Sequence, residues 1–124
     1  MTSKWTIAIT GSRNFSNEDL IRQVLSEFPG KNILLTGACP TGADRMAEQY
    51  AEDMEWDIVY FPANWGKYGK RAAYIRNKMM IDSKPDIVLA FFETEPGREQ
   101  DSKGTYMTMN LAKDANIRVE KYYV

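Results

Sequence analysis

Gly37-Ala38-Cys39-Pro40-Thr41-Gly42-Ala43-Asp44 joins an apolar triplet, Ile33-Leu34-Leu35, to a helical spacing of Met46, Ala47, Tyr50, Ala51 and Met54. A strand, a glycine loop and a helix N-terminus together form a physical arrangement for holding an anion. Loop glycines let the backbone approach a ligand, and the first helical turn offers unpaired N–H groups at the positive end of the helix dipole. Two standard phosphate motifs are excluded. Gly37 and Gly42 have P-loop spacing, but Ala43-Asp44 follows where Lys and Ser/Thr should stand, and G-x-G-x-x-G is absent. That removes a nucleotide triphosphatase and a dinucleotide dehydrogenase. The plainer alternative is a loop that merely turns the chain.

Cations supply the second half of an anion site. Lys67, Lys70, Arg71, Arg76 and Lys78 fall between Ile58 and Ile81 with no acid among them; with a net charge of −1, the rest of the chain sums to −6. Such a local concentration on an acidic chain marks an anion site, with a solvated helix face as the alternative. Trp65, Tyr68 and Tyr74 lie within it and offer rings on which a base or ribose could stack. Arg13, after Gly11-Ser12 at a strand end, has the fork geometry to grip a phosphate or is an ordinary surface arginine. Asp44 suits a helix first turn on dipole grounds alone, which would keep it a weak base; its functional role would be a hydrogen bond to a ribose hydroxyl or the loop backbone. Cys39 reads as a small buried residue before a reactive thiol, and Met79 and Met80 as core filler.

These residues need a frame. Trp5–Thr10, Ile33–Leu35, Asp57–Phe61, Asp86–Phe92 and Ile117–Tyr122 read as strands. Between them lie a helix begun by a Ser16/Asp19 capping box with a stripe through Leu20, Ile21, Val24, Leu25 and Phe28, a helix from Gly42, one from about Lys70 to Ser83, and one from Gly104 to Ala115. Residues 63–69 and 93–103 read as loops, the latter polar and mobile. The alternation predicts an α/β fold: a single domain, a Rossmann-like three-layer sandwich with a five-stranded parallel sheet covered on both faces. Ligands bind such sheets beyond the carboxyl ends of the strands. Of the 124 residues 44% are hydrophobic and 27% charged, which excludes disordered and membrane classes. A single cysteine favours the cytoplasm, and the absence of histidine removes His-based acid–base, triad and metal chemistry. No metal or cofactor is expected.

Gly11-Ser12-Arg13, Thr36-Gly37 through Gly42-Ala43-Asp44-Arg45, Trp65 through Arg71, Arg76-Asn77-Lys78-Met79 and Gly104-Thr105 together resemble the YspA branch of the SLOG superfamily, which groups the Smf/DprA DNA-processing proteins with the Lonely Guy hydrolases. The resemblance spans nearly the whole chain. It implies strand order 3-2-1-4-5, a nucleotide or nucleotide-derived ligand, and homodimers. Its ligand-binding set here is Gly11, Ser12, Arg13, Gly37, Ala38, Gly42, Ala43, Asp44, Lys67, Arg71, Arg76, Gly104 and Thr105. The hydrolases break an N-glycosidic bond with an arginine, matched by Arg76, and a glutamate in P-G-G-x-G-T-x-x-E. Gly104-Thr105 matches the G-T, but Asp101-Ser102-Lys103 replaces P-G-G and Thr108 replaces the glutamate. The expectation is therefore a binding or sensing module. Hydrolysis of a nucleoside monophosphate with Asp44 or Glu93 as a substitute carboxylate is the alternative. Single-stranded nucleic acid is disfavoured by the acidic remainder of the chain.

Overall fold

In the computed structural model, which describes residues 4–123, β1 (Thr6–Gly11) is followed by α1 (Glu18–Leu25), β2 (Ile33–Thr36), α2 (Gly42–Asp53) and β3 (Asp57–Tyr60). A short α3 (Trp65–Tyr68) and a 3-10 turn (Gly69–Arg71) lead into α4 (Ala72–Asp82) and β4 (Ile87–Phe92). A second 3-10 turn (Glu99–Asp101), α5 (Lys103–Asp114) and β5 (Arg118–Tyr123) complete the chain. All strands are parallel, in the order β3-β2-β1-β4-β5.

Period-two alternation divides the core between the two sheet faces. Ile7, Ile9, Leu34, Ile87, Leu89 and Phe91 pack against Ile21, Val24 and Leu25 of α1 and Ala43, Ala47 and Ala51 of α2. On the opposite face Ala8, Leu35 and Val88 meet Met80 and Ile81 of α4 and Ala112 of α5. β4 is buried at every residue because helices cover it on both sides. β3, at the sheet edge, leaves Val59 and Tyr60 exposed. The first two crossovers run outward from β1 to β3, and the third returns past β1 to β4. With right-handed crossovers this reversal puts α1 and α2 on one face and α4 and α5 on the other. The loops leaving β1 and β4 therefore diverge, and a crevice opens above them.

Several boundaries differ from the sequence reading. The cap of α1 is Asn17, whose Oδ1 accepts from Leu20 N at 3.2 Å, and not Ser16. Phe28 lies beyond the helix and packs edge-on to Trp5. The helix expected over 70–83 is α4, its first residues wound as the 3-10 turn, and the stretch 63–69 expected as loop contains α3, ended by Gly69 at φ 58°. Met79 is 55% exposed, so only Met80 fills the core. The segment expected to be a mobile loop is fastened instead. Arg98 Nε donates to Asp101 at 2.8 Å, and Glu99 accepts from the Tyr123 hydroxyl on β5. That bond, with backbone N–H groups, holds the Glu99 carboxyl down at about 2; burial and then Glu99 push Tyr123 up to about 12. Among the described residues no helix is long and apolar enough to cross a membrane.

Candidate functional site

A cleft of about 620 Å³ lies above the C-terminal ends of β1 and β4. Gly11, Ser12, Arg13, Gly37, Asp44, Arg76, Gly104 and Thr105 line it, as does Glu93. Ala38 faces a smaller neighbouring cleft, while Gly42, Ala43, Lys67 and Arg71 line neither. The basic segment thus disperses. Lys67, Lys70 and Arg71 are exposed, Lys78 pairs with Asp82 at 2.6 Å, and only Arg76 turns inward. Cys39, expected to be buried, is half-buried and borders both clefts.

The N-terminus of α2 is filled by the protein itself. Ala43 N donates to Ser12 O at 3.2 Å, and Thr41 Oγ1 donates to Arg13 O at 2.9 Å. Gly42 has φ 76°, and a Cβ there would lie 2.2 Å from Ser12 O. Gly11 is closed in the same way, since its Cβ would meet that of Ala43 at 2.5 Å. These glycines let the first and second loops touch. That contact gives Gly42 and Ala43 a packing role.

Gly37 makes room for the polar centre of the cleft. A Cβ at that position would lie 2.7 Å from Arg76 Nη1 and 3.0 Å from Asp44 Oδ2. Arg76 Nη1 donates to Gly37 O at 2.6 Å and Phe61 O at 3.5 Å, and Nε donates to Asn77 Oδ1 at 2.6 Å. The arginine therefore braces the loops after β2 and β3, while among the described residues Nη2 has no such partner. Asp44 is 7% exposed and accepts from Cys39 N at 3.3 Å. Burial pushes its carboxyl up to about 6, against the pull of the Cys39 N–H and the Arg76 guanidinium. The weak base expected from the helix dipole is overturned, because desolvation outweighs the dipole at a buried position.

The N-terminus of α5 is open. The helix begins without a side-chain cap, and nothing lies within 4 Å of a Cβ built on Gly104. Lys103 and Thr105 flank it in the cleft wall, where the buried Thr94 hydroxyl has no hydrogen-bond partner among the described residues. Glu93 accepts from Ser12 Oγ at 3.1 Å. Asp101 also lines the cleft but is committed to Arg98. Thr108 does not line it; fully buried, its hydroxyl bonds Gly104 O at 3.1 Å. A glutamate at that position would be a buried charge.

Sequence reasoning left Asn77, Thr94 and Lys103 out of the binding set, yet all three line the cleft. Asn77 is 5% exposed, and its side chain links Arg76 to Met107 Sδ across α4 and α5. A polar residue on the apolar face of a helix was the available signal. Among the described residues no cluster of Cys, Asp or Glu could hold a metal ion. A family model described as YAcAr: YspA, cpYpsA-related SLOG family, matches residues 5–68, just over half of the chain. No curated protein and no solved structure matches it.

Proposed function

Because this chain belongs to the YspA, cpYpsA-related SLOG family, we propose that its cleft binds or senses a nucleotide or nucleotide-derived ligand. The observation that carries the reading is the coincidence, over the β1/β4 reversal, of an uncapped helix N-terminus at Gly104-Thr105 with the free side of Arg76. N–H groups at a helix start and an arginine fork are suited to a phosphate. Arg13 and Lys103 add positive charge at the rim, while Asp44, Glu93 and Ser12 offer partners for ribose hydroxyls. Single-stranded nucleic acid fits less well, since the cleft is short and the other cations of the basic segment do not line it. A cytoplasmic setting belongs to the same proposal, supported by cysteine usage. So does a homodimer, and sedimentation tests it.

Thermal unfolding with adenine and guanine nucleotides, ADP-ribose and cyclic derivatives tests the ligand. A rise in melting temperature is expected, as mass action requires of anything that binds the folded state. No shift with any of them at millimolar concentration overturns the reading.

One observation favours hydrolysis as a second reading. Asp44, with its carboxyl near 6 and Arg76 beside it, is poised as a base at neutral pH. Incubation with AMP, GMP, CMP and UMP, followed by chromatography of released base, separates the two. Turnover lost in Asp44→Asn or Glu93→Gln makes the protein a phosphoribohydrolase. Binding without release leaves it a binding module.

A further inference from the structure

We propose that the smaller cleft is a base pocket, in which the planar ring of a nucleoside phosphate stacks on the indole of Trp65. The proposal rests on the phosphate reading of the main cleft and adds where the other end of the ligand goes. The smaller cleft measures about 350 Å³ and shares Arg13, Gly37, Cys39 and Arg76 with the larger one. The two therefore form one continuous surface with two arginines at the junction. Beyond that junction the lining changes character: Pro40, Pro62, Ala63 and Trp65 supply apolar walls.

Trp65 is the anomaly among the tryptophans. Trp56 is 6% exposed in the core and Trp5 packs edge-on to Phe28, whereas Trp65 is 57% exposed. Among the described residues it forms no ring pair, and the one nearby cation–ring contact places Lys67 over Tyr68 instead. Its backbone is nevertheless held. The Asn64 side chain caps α3 by accepting from Lys67 N at 3.1 Å, and Gly69 closes the helix. A fixed backbone with a bare indole in the wall of a cleft of mixed polar and apolar lining is a stacking platform. Of the five aromatics in the basic segment, Trp65 is the one that lines a cleft; Tyr60, Phe61, Tyr68 and Tyr74 do not. Thr41, Cys39 and the two arginines supply polar groups beside these walls, and the indole is the one aromatic face the pocket offers a ring.

The test is calorimetric titration of the full chain with two probes, AMP and ribose 5-phosphate, which share the phosphoribosyl end and differ in the base. Wild type is expected to bind AMP about tenfold more tightly, the scale of one base stacked on one aromatic ring. Trp65→Ala should bring AMP down to the level of ribose 5-phosphate and leave the latter unchanged, while Trp65→Phe keeps most of the difference. An unchanged AMP to ribose 5-phosphate ratio in Trp65→Ala overturns the base pocket alone. So does a loss of self-association in Trp65→Ala with AMP affinity intact. If neither probe binds wild type, the phosphate reading fails and the base pocket fails with it.

Discussion

Two helices of this fold start in nearly the same way and do opposite things. α2 begins at Gly42 and α5 begins beside Gly104, and both bring a positive dipole end to the C-terminal edge of the sheet. At α2 that end is taken by a carbonyl of the first loop, Ser12 O, on the N–H of Ala43. At α5 no side chain caps the helix and the space over Gly104 is open. A glycine before a helix therefore has two physical uses: it permits close packing of backbone on backbone, or it leaves a donor surface bare. The difference is written in what lies opposite.

The contrast breaks most visibly at Gly42. Gly42→Ala combines a positive φ with a Cβ 2.2 Å from a backbone oxygen, so it should destabilise the unliganded protein by about 3 kcal/mol or more. Urea unfolding measures it, and a neutral result would mean that α2 is not sealed by the first loop.

Asp44, at the sealed helix, links stability to pH. Its carboxyl is raised from 3.8 to about 6, so the contribution is fully present below pH 3.8 and is lost as pH rises through 6. The folded state then carries an ionised buried group at a cost of up to about 3 kcal/mol. Asp44→Asn should flatten the fall between pH 4 and 6 and leave the protein more stable than wild type at pH 7. An unchanged slope in equilibrium unfolding would assign the pH dependence to other groups.

Arg76 stands between the two helix ends and serves both. Its bonds to Gly37 O and Phe61 O make Arg76→Ala costly to the unliganded fold, by about 2 kcal/mol, in addition to any loss of ligand. Full stability of the variant with binding abolished would make Arg76 a ligand clamp alone.

Gly104 is where the smallest effect on stability is expected. Gly104→Ala gains helix propensity without a clash, so unfolding should shift by less than about 1 kcal/mol, in the stabilising direction. The same variant should weaken nucleotide binding, because a methyl group now stands over the donors. A stable variant with undiminished affinity would show that the anion sits elsewhere.

Much of this was legible from pattern alone. Ile7, Ala8 and Ile9, with Ile87 through Phe92, are apolar at both phases of the strand period, which requires a central parallel strand covered by helices on both faces. That, with four β-to-α alternations, was enough for a parallel sheet and for the edge where the cleft lies; the strand order came from the family resemblance. Chain punctuation was less reliable. Asn17 out-competed Ser16 for the cap because its oxygen reaches Leu20 N, and a short helix capped by Asn64 formed within 63–69, which its glycines read as loop. Neither follows from local composition, since capping depends on which side chain reaches the first N–H groups.

The residue types, their order and the hydrophobic period by themselves determined the sheet, its two covered faces and the loops that must hold any site. Only tertiary structure decided which loop groups are free. Gly42 and Ala43 are packed on Ser12, Lys67 and Arg71 do not line the cleft, and Asn77 and Thr94 join its wall. It also decided that Asp44 titrates near 6, because desolvation at 7% exposure is a property of the packing around the carboxylate and leaves no trace in the neighbouring sequence. Apolar period is a local quantity that a chain carries along itself, whereas the occupancy of a donor and the dielectric around a charge are set by residues brought from elsewhere in the chain.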